Sequence, residues 1–392
     1  MPTILYITDI LSGSRVPQLE GMRAFASTIG WHVEVIEQMR IKSPLKEVVS
    51  YFQPIGCVLE SSGEYFIPPE KVGRLPVVYI DPPTRPATAQ PLWSVSNDDV
   101  GIAELAFSTL ALTAGAQAYA FIGWTGRDGW SCARERAFCR RAEAIGRHAS
   151  VFTDPWTMGN KHEFIGRVRS FLASLPKETG IFTANDDIAL VVLDACEQEG
   201  LVIPGDLYLI GTDDDPRVCD FTRPTLTSVR PNFHRAGYTA AELLAKRIAH
   251  PRLKPQQLHY PPIGVTRRLS TRRTIALLPR DISQALDLIH REACSGLKPA
   301  RVIASVFKCS ERSAEMRFKA IIGKRISEEI TDVRFERVFQ LLLKPDQAIE
   351  PIANLCGWES PVYLKRKFKE RTGMTMRAWR KENLKKIFAH EE

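Results

Sequence analysis

The sequence predicts a doubly wound α/β region in two blocks, followed by an all-α domain that holds two helix-turn-helix units. Three observations carry that prediction. Short apolar strands alternate with amphipathic helices from residue 3 to about 265, the pattern of parallel sheets covered by helices. From Asp281 onward the periodicity is almost purely helical. Within that tail, two segments at about 299–322 and 349–371 each read as a short helix, a turn and a second helix.

The strand candidates, in order, are Thr3–Thr8, His32–Ile36, Gly56–Leu59, Val77–Ile80, Ala118–Ile122, Gly180–Thr183 and Leu207–Ile210. Helical stretches lie between them, among them Val16–Ile29, Val100–Thr113, Ala133–Ala144, Glu163–Leu175 and Ile188–Glu199. The break at Ala114-Gly115 divides the two blocks, so residues 1–268 are expected to form two lobes, with the chain crossing near 114 and again at 230–240. Ligands of such folds sit beyond the carboxyl ends of the strands, in the cleft between lobes. Residues 269–280, following the basic Arg267-Arg268 and ending at the breaker Pro279, are expected to be a linker. Residues 281–390 then form the helical domain, with helices at 281–294, 299–307, 311–322, 326–343, 349–356, 360–371 and 376–387.

The charge is uneven. The chain has 392 residues and a net charge of +8, yet residues 281–392 hold 22 Lys and Arg against 16 Asp and Glu. A near-neutral front and a basic tail point the tail toward a polyanion. A merely soluble surface is the competing explanation. The eight cysteines are scattered without C-x-x-C pairs or zinc spacing, as expected of free thiols in a reducing cytosol. With no signal-peptide pattern and no apolar run long enough for a bilayer, a cytoplasmic protein without membrane attachment is expected.

The second unit of the tail is the most informative stretch. An apolar segment (Ile349, Ile352, Ala353) ends at Gly357, where the chain can turn sharply. Ser360 then stands where an N-cap belongs, with Pro361 at the first helical position. Leu364 and Phe368 form one apolar seam, and Lys365, Arg366, Lys367, Lys369 and Arg371 fill the rest of the surface. Such a helix suits the major groove of double-stranded DNA. Ser360, Pro361, Val362 and Arg366 are expected near base edges, Arg366 pairing with guanine and Val362 touching a thymine methyl. Lys365 and Lys369 are expected on phosphates. In the first unit, Arg312 and Glu315 are the candidate base contacts. A solvated face is the competing reading for each cation. One helix over 326–343 would hold the two units about 27 Å apart, close to one DNA turn.

The tail resembles the AraC-type DNA-binding domain over about residues 281–388. The second unit carries the likeness through Ile352-Ala353, Cys356-Gly357, Ser360, Phe368-Lys369, Gly373 and Trp379-Arg380. It departs at Met376, where that family usually has Pro, and at Trp358 for the usual Phe. The first unit fits at Ser310, Arg317-Phe318-Lys319 and Gly323. It has Ala314 where a Leu packs, and Lys308 where the turn often has Gly, so a left-handed Lys308 and a less rigid first unit are expected.

The front resembles the LacI-type, periplasmic-binding-protein-like sensor domain. The carrying segments are Asn97-Asp98-Asp99, Phe121-Ile122-Gly123, Ala184-Asn185-Asp186-Asp187, Ile203-Pro204, Gly211-Thr212-Asp213-Asp214-Asp215, Leu226-Thr227-Ser228-Val229 and Gly237-Tyr238. A LacI-like sensor ahead of an AraC-type reader is the layout of the xylose operon regulator group. That resemblance implies a DNA-binding regulator controlled by a small sugar effector and acting as a homodimer. A sensor-like domain used only for dimerisation is the alternative.

Sugar recognition needs planar groups that meet vicinal hydroxyls in pairs, and an aromatic face for the C–H side of the ring. Asn185 and Asp186 follow one strand and Asp213 follows another, where the cleft belongs. The resemblance places ligand contacts at Asn185 and Asp213. Asp98, Arg15, Trp130 and Arg134 complete the candidate set, with Arg134 as the bidentate partner and Trp130 as the stacking face. Each has a plainer reading: helix caps for Asn185 and Asp186, a turn residue for Asp213, packing for Trp130, a surface ion pair for Arg134. The run Asp213–Asp215 lacks calcium-loop spacing, so no metal is expected. No cofactor is expected, and the absence of a phosphate loop, a G-x-S-x-G elbow or a strand-following G-x-G-x-x-G argues against an enzyme.

Overall fold

The computed structural model describes the chain apart from residues 10, 12, 38–44, 62–65, 84–87, 89–90, 125–128, 153, 155–160, 273–278, 343–347 and 382–392. It divides into two compact units, one built from Met1–Thr222 and Leu226–Ala276, the other from Arg223–Thr225 and Leu277–Glu392.

The first unit contains two six-stranded sheets. In chain order its elements are β1 (Thr3–Thr8), α1 (Arg15–Thr28), β2 (His32–Glu37), α2 (Leu45–Phe52), β3 (Gly56–Glu60), α3 (Pro69–Val72), β4 (Val77–Ile80), β5 (Ser94–Asn97), α4 (Asp99–Ser108), β6 (Ala118–Ile122), α5 (Gly129–Glu143), β7 (Ala149–Phe152), α6 (Lys161–Ser174), β8 (Thr179–Thr183), α7 (Asp186–Glu199), β9 (Leu207–Thr212), α8 (Pro216–Cys219), β10 (Thr227–Pro231), α9 (Phe233–Ala249), β11 (Gln257–Tyr260) and β12 (Pro262–Thr266). The first sheet runs β11-β5-β4-β3-β1-β2 and is parallel throughout. The second runs β12-β10-β9-β8-β6-β7, with only the β10–β12 pair antiparallel. Strands such as β3 and β4 are buried at every position, as expected when helices cover both faces.

The lobe crossings differ from the sequence expectation. Helix α4 already packs in the second lobe, where Ile102, Ala103, Ala106 and Phe107 share a core with Tyr119, Phe121 and Tyr208. The first crossing is therefore at Asn97–Asp99. The break at Ala114-Gly115 is instead the end of a π-helical turn, Thr109–Ala114. The return falls at Pro231–Phe233, because α9 packs on the first sheet. A third crossing, between β11 and β12, closes the hinge. Helices α1 and α9 pack backbone to backbone there: a Cβ on Gly237 would lie 1.7 Å from the Gln18 carbonyl oxygen. The expected linker begins later than residue 269. Leu269–Thr271 form a buried 3₁₀ turn, with the Ser270 hydroxyl donating to the Leu209 carbonyl (2.7 Å). Most of the remaining expected linker lies outside the described residues.

The second unit holds α10 (Arg280–Glu292), α11 (Pro299–Val306), α12 (Glu311–Ile322), α13 (Ile326–Leu342), α14 (Ile352–Leu355) and α15 (Pro361–Thr372). A further helical segment spans 376–381, and the rest of the 376–387 expectation lies outside the described residues. Seventeen residues make α13 about 26 Å long.

Candidate functional site

The carboxyl ends of β1 and β3 place Asp9 and Glu60 beside Arg15, the first residue of α1. The Arg15 guanidinium lies 3.1 Å from Asp9 and 3.2 Å from Glu60. On the other lobe, α5 carries Arg134, which is 3% exposed. Its Nε donates to Asp99 (2.9 Å), Nη1 donates to the Ala184 carbonyl (2.6 Å), and its guanidinium stacks 4.8 Å from the Trp130 ring centroid. Trp130 lines a cleft of about 320 Å³ together with Asp81, Ser96, Asn97, Asp99 and His259.

The three consecutive acids after β9 have separate roles. Asp214 is taken by Arg268 (2.8 Å) and by the Thr266 hydroxyl (2.6 Å). Asp215 caps α8 through Arg217 N and pairs with the Arg217 side chain at 2.6 Å. Asp213, at φ +115°, makes no side-chain hydrogen bond among the described residues. Burial pushes its carboxyl up to about 7, opposed by Arg134 and Arg15 and reinforced by Asp187 and Asp215. Two guanidiniums from opposite lobes thus act on one unengaged carboxyl. Asp81, held by the Asn97 amide (2.8 Å) and the Tyr260 hydroxyl (2.6 Å), is likewise pushed up to about 7 by burial.

Other expected contacts serve the scaffold. Asn185 caps α7, accepting from Ile188 N at 3.0 Å, and Asp98 caps α4, accepting from Gly101 N at 2.9 Å. Asp186 is 2% exposed and accepts from the Ser228 hydroxyl (2.7 Å), Asp215 N (3.0 Å) and the Cys219 thiol (3.2 Å). It holds the Asp213 turn from behind. Sequence reasoning passed over Glu60, Asp81 and Asp99. Their signal was available, since each stands at or just beyond a strand's carboxyl end.

In the second unit, Ser360 caps α15 (Tyr363 N, 3.4 Å) with Pro361 in its first turn, and Leu364 and Phe368 are buried. Pro361, Val362, Lys365, Arg366 and Lys369 are exposed on the opposite side. Arg366 lies 5.2 Å from the Tyr363 ring centroid. In α12, Arg312 is exposed, but Glu315 turns inward, accepting from Ile326 N at 3.4 Å. Lys308 is not left-handed: α11 ends on Phe307 at φ −93°, ψ 129°, so the turn needs no glycine. Gly357 does need to be glycine. Its φ is +69°, and a Cβ there would meet the Ala293 and Cys294 carbonyl oxygens at 2.8 Å.

A periplasmic binding protein-like domain model matches residues 110–271, and a helix-turn-helix domain model matches residues 303–382. The xylose operon regulatory protein of Escherichia coli (strain K12) is 29% identical over 297 residues, covering 75% of each chain. The chain is a DNA-binding transcription regulator with a periplasmic-binding-protein-like domain ahead of its helix-turn-helix domain. In fold, the regulator is similar to the solved xylose-binding transcription activator, with a TM-score of 0.60 at 24% identity over 97% of both chains. Its first unit is similar in fold to a periplasmic binding protein/LacI transcriptional regulator from Alkaliphilus metalliredigens complexed with D-xylulofuranose. That likeness has a TM-score of 0.55 at 18% identity, covering 69% of this chain and 99% of the other. The regulator is not an enzyme of the classes its α/β fold also serves; its relatives are regulatory proteins.

Proposed function

We propose that the regulator is controlled by a small neutral sugar held between the two lobes of the first unit, and that it acts as a homodimer in the cytoplasm. The observation that supports this reading is a cleft of about 320 Å³ lined by Trp130, Asp81, Asn97 and Asp99, with the Asp213 carboxyl, which makes no side-chain hydrogen bond among the described residues, at the carboxyl end of β9 in the same unit. A carboxylate accepts hydrogen bonds from a sugar's hydroxyls and a guanidinium donates to them, and the Trp130 ring beside Arg134 offers the apolar surface a sugar's C–H face needs. The xylose and D-xylulofuranose in the names of similar structures make pentoses the first effectors to test. Sugar binding favours one arrangement of the lobes over another, and that difference in affinity is what can alter DNA binding.

The test is a thermal-shift panel of pentoses, hexoses and deoxysugars on the full chain. At about 100 times its dissociation constant, an effector adds about 2.7 kcal/mol of stability. Asp213→Asn should lower the affinity at least about tenfold while the apo protein melts cooperatively. No shift with any sugar would favour a dimerisation module instead. An unchanged Asp213→Asn affinity would make Asp213 a turn residue.

A further inference from the structure

Two reading helices on one chain recognise a bipartite site only if something fixes their relative position, and α13 alone does not fix how each helix is rotated about it. One carboxylate on α13 makes ionic contact with α15 and with the turn that leads out of α12. Asp332 Oδ2 accepts from Lys324 Nζ at 2.7 Å, and Lys324 follows the Gly323 cap that ends α12. Asp332 Oδ1 accepts from Arg371 Nη1 at 2.5 Å, and Arg371 lies in the last turn of α15. The cations are anchored independently. Lys324 also pairs with Glu329, 2% exposed, at 2.7 Å, and Arg371 stacks 4.8 Å from the Phe335 ring centroid. At the other end of the second reader, the Gly357 turn lies against the Ala293 and Cys294 carbonyls. The second reader is thus held at both ends: by a steric contact that only glycine permits, and by an ionic contact that α12 shares.

We propose that Asp332 is a positioning residue that sets the spacing of the two DNA half-sites by tying the carboxyl ends of both reading helices to one point on α13. The inference rests on α12 and α15 being the DNA-reading helices. A half-exposed ion pair is weak alone, but Asp332 (30% exposed) is shared by two cations on different elements, so losing it frees both at once. Each reader keeps its own cap, seam and base-facing residues, so half-site recognition should survive. What falls is the effective concentration of the second reader once the first is bound.

The experiment selects DNA with the full-length protein from duplexes carrying a random window of about four helical turns. Wild type should enrich two motifs at one fixed separation. Asp332→Ala should enrich the same two motifs with the separation spread over several base pairs, and should bind the wild-type consensus at least tenfold more weakly while binding each isolated half-site within about twofold. Asp332→Glu should restore the narrow spacing. If Asp332→Ala fails to fold, Asp332→Asn, which keeps the shape and removes the charge shared by both cations, carries the same expectation. A single unchanged separation in the variant overturns the proposal. So does loss of one motif, which would make Asp332 part of one reader. Wild type enriching no sequence would remove the DNA-reading premise, and the positioning role with it.

Discussion

Replacing Asp186 by Ala should destabilise the effector-free protein, whereas Asp213→Asn should not. The difference follows from what each carboxyl holds. Asp186 is the acceptor for the Asp215 amide, the Ser228 hydroxyl and the Cys219 thiol. Without it the amide has no other acceptor among the described residues, while the hydroxyl retains the Val229 carbonyl at 3.4 Å. A buried donor left unpaired costs about 1–3 kcal/mol, and a turned hydroxyl costs less. Burial also holds the Asp186 carboxyl well above the usual range, so its removal relieves part of that burden. The net expectation is a loss of about 1–3 kcal/mol, or roughly 2–5 °C in melting temperature for a unit of this size.

Asp213 makes no side-chain hydrogen bond among the described residues, so Asp213→Asn should not destabilise the effector-free protein, and near and above pH 7 it should stabilise it, because the wild-type carboxyl must there ionise in a buried place. Asn is the right substitution, because it tolerates positive φ better than Ala does. Urea and thermal unfolding without sugar decide the matter. Equal stability of the two variants, or a larger loss in Asp213→Asn, would show that the turn is held from the cleft side rather than by Asp186.

Asp213 also carries a pH signature. Its folded-state pKa of about 7 lies above the unfolded value, so its share of stability is complete below about pH 4 and is lost as pH rises through 7. Asp213→Asn should flatten that part of the apo stability profile, and in wild type sugar affinity should rise from pH 6 to 8; an affinity that does not change would mean the sugar does not need the carboxylate. Arg366→Ala should cost about 1–3 kcal/mol on the preferred operator and relax one base position, whereas equal losses on random DNA would assign Arg366 to a phosphate. Hydrogen exchange on the free protein should show weaker protection over 299–322 than over 349–371. The reason is now the second unit's ring cluster of Phe335, Phe339, Trp358, Phe368 and Trp379 rather than a strained Lys308 turn, and equal protection would refute it.

The strands read from sequence were those with apolar runs, such as Val77–Ile80, which the structure reproduces. Ser94–Asn97 and Gln257–Tyr260 are short and polar at alternate positions, so local pattern does not mark them; Ser94–Asn97 enters the sheet by pairing with β4, and Gln257–Tyr260 by pairing with Ser94–Asn97. Pro262–Thr266 begins with proline and contains Gly264, which on local grounds argues against a strand; it survives as the antiparallel edge beside β10. All three border the hinge. The crossings were therefore the part of the fold least available to local pattern, because a hinge strand is specified by the partner it finds across the chain.

The same distinction governs the site. Asp213, Asp214 and Asp215 are chemically equivalent in sequence, and no local rule says which of them can meet a ligand. In the structure their side chains have different partners. Arg268 and Thr266, more than 50 residues away, occupy Asp214, and the cap of α8 occupies Asp215. Asn185 and Asp98 are spent on helix caps for the reason that makes such residues frequent at strand-to-helix junctions: the first turn needs an acceptor. That is why the proposed site centres on Asp213, the acid without a side-chain hydrogen bond among the described residues, and on two arginines held in place by other acids, Arg15 by Glu60 and Arg134 by Asp99. A cleft built this way has its charges positioned before any sugar arrives, so binding need order little more than the lobes themselves.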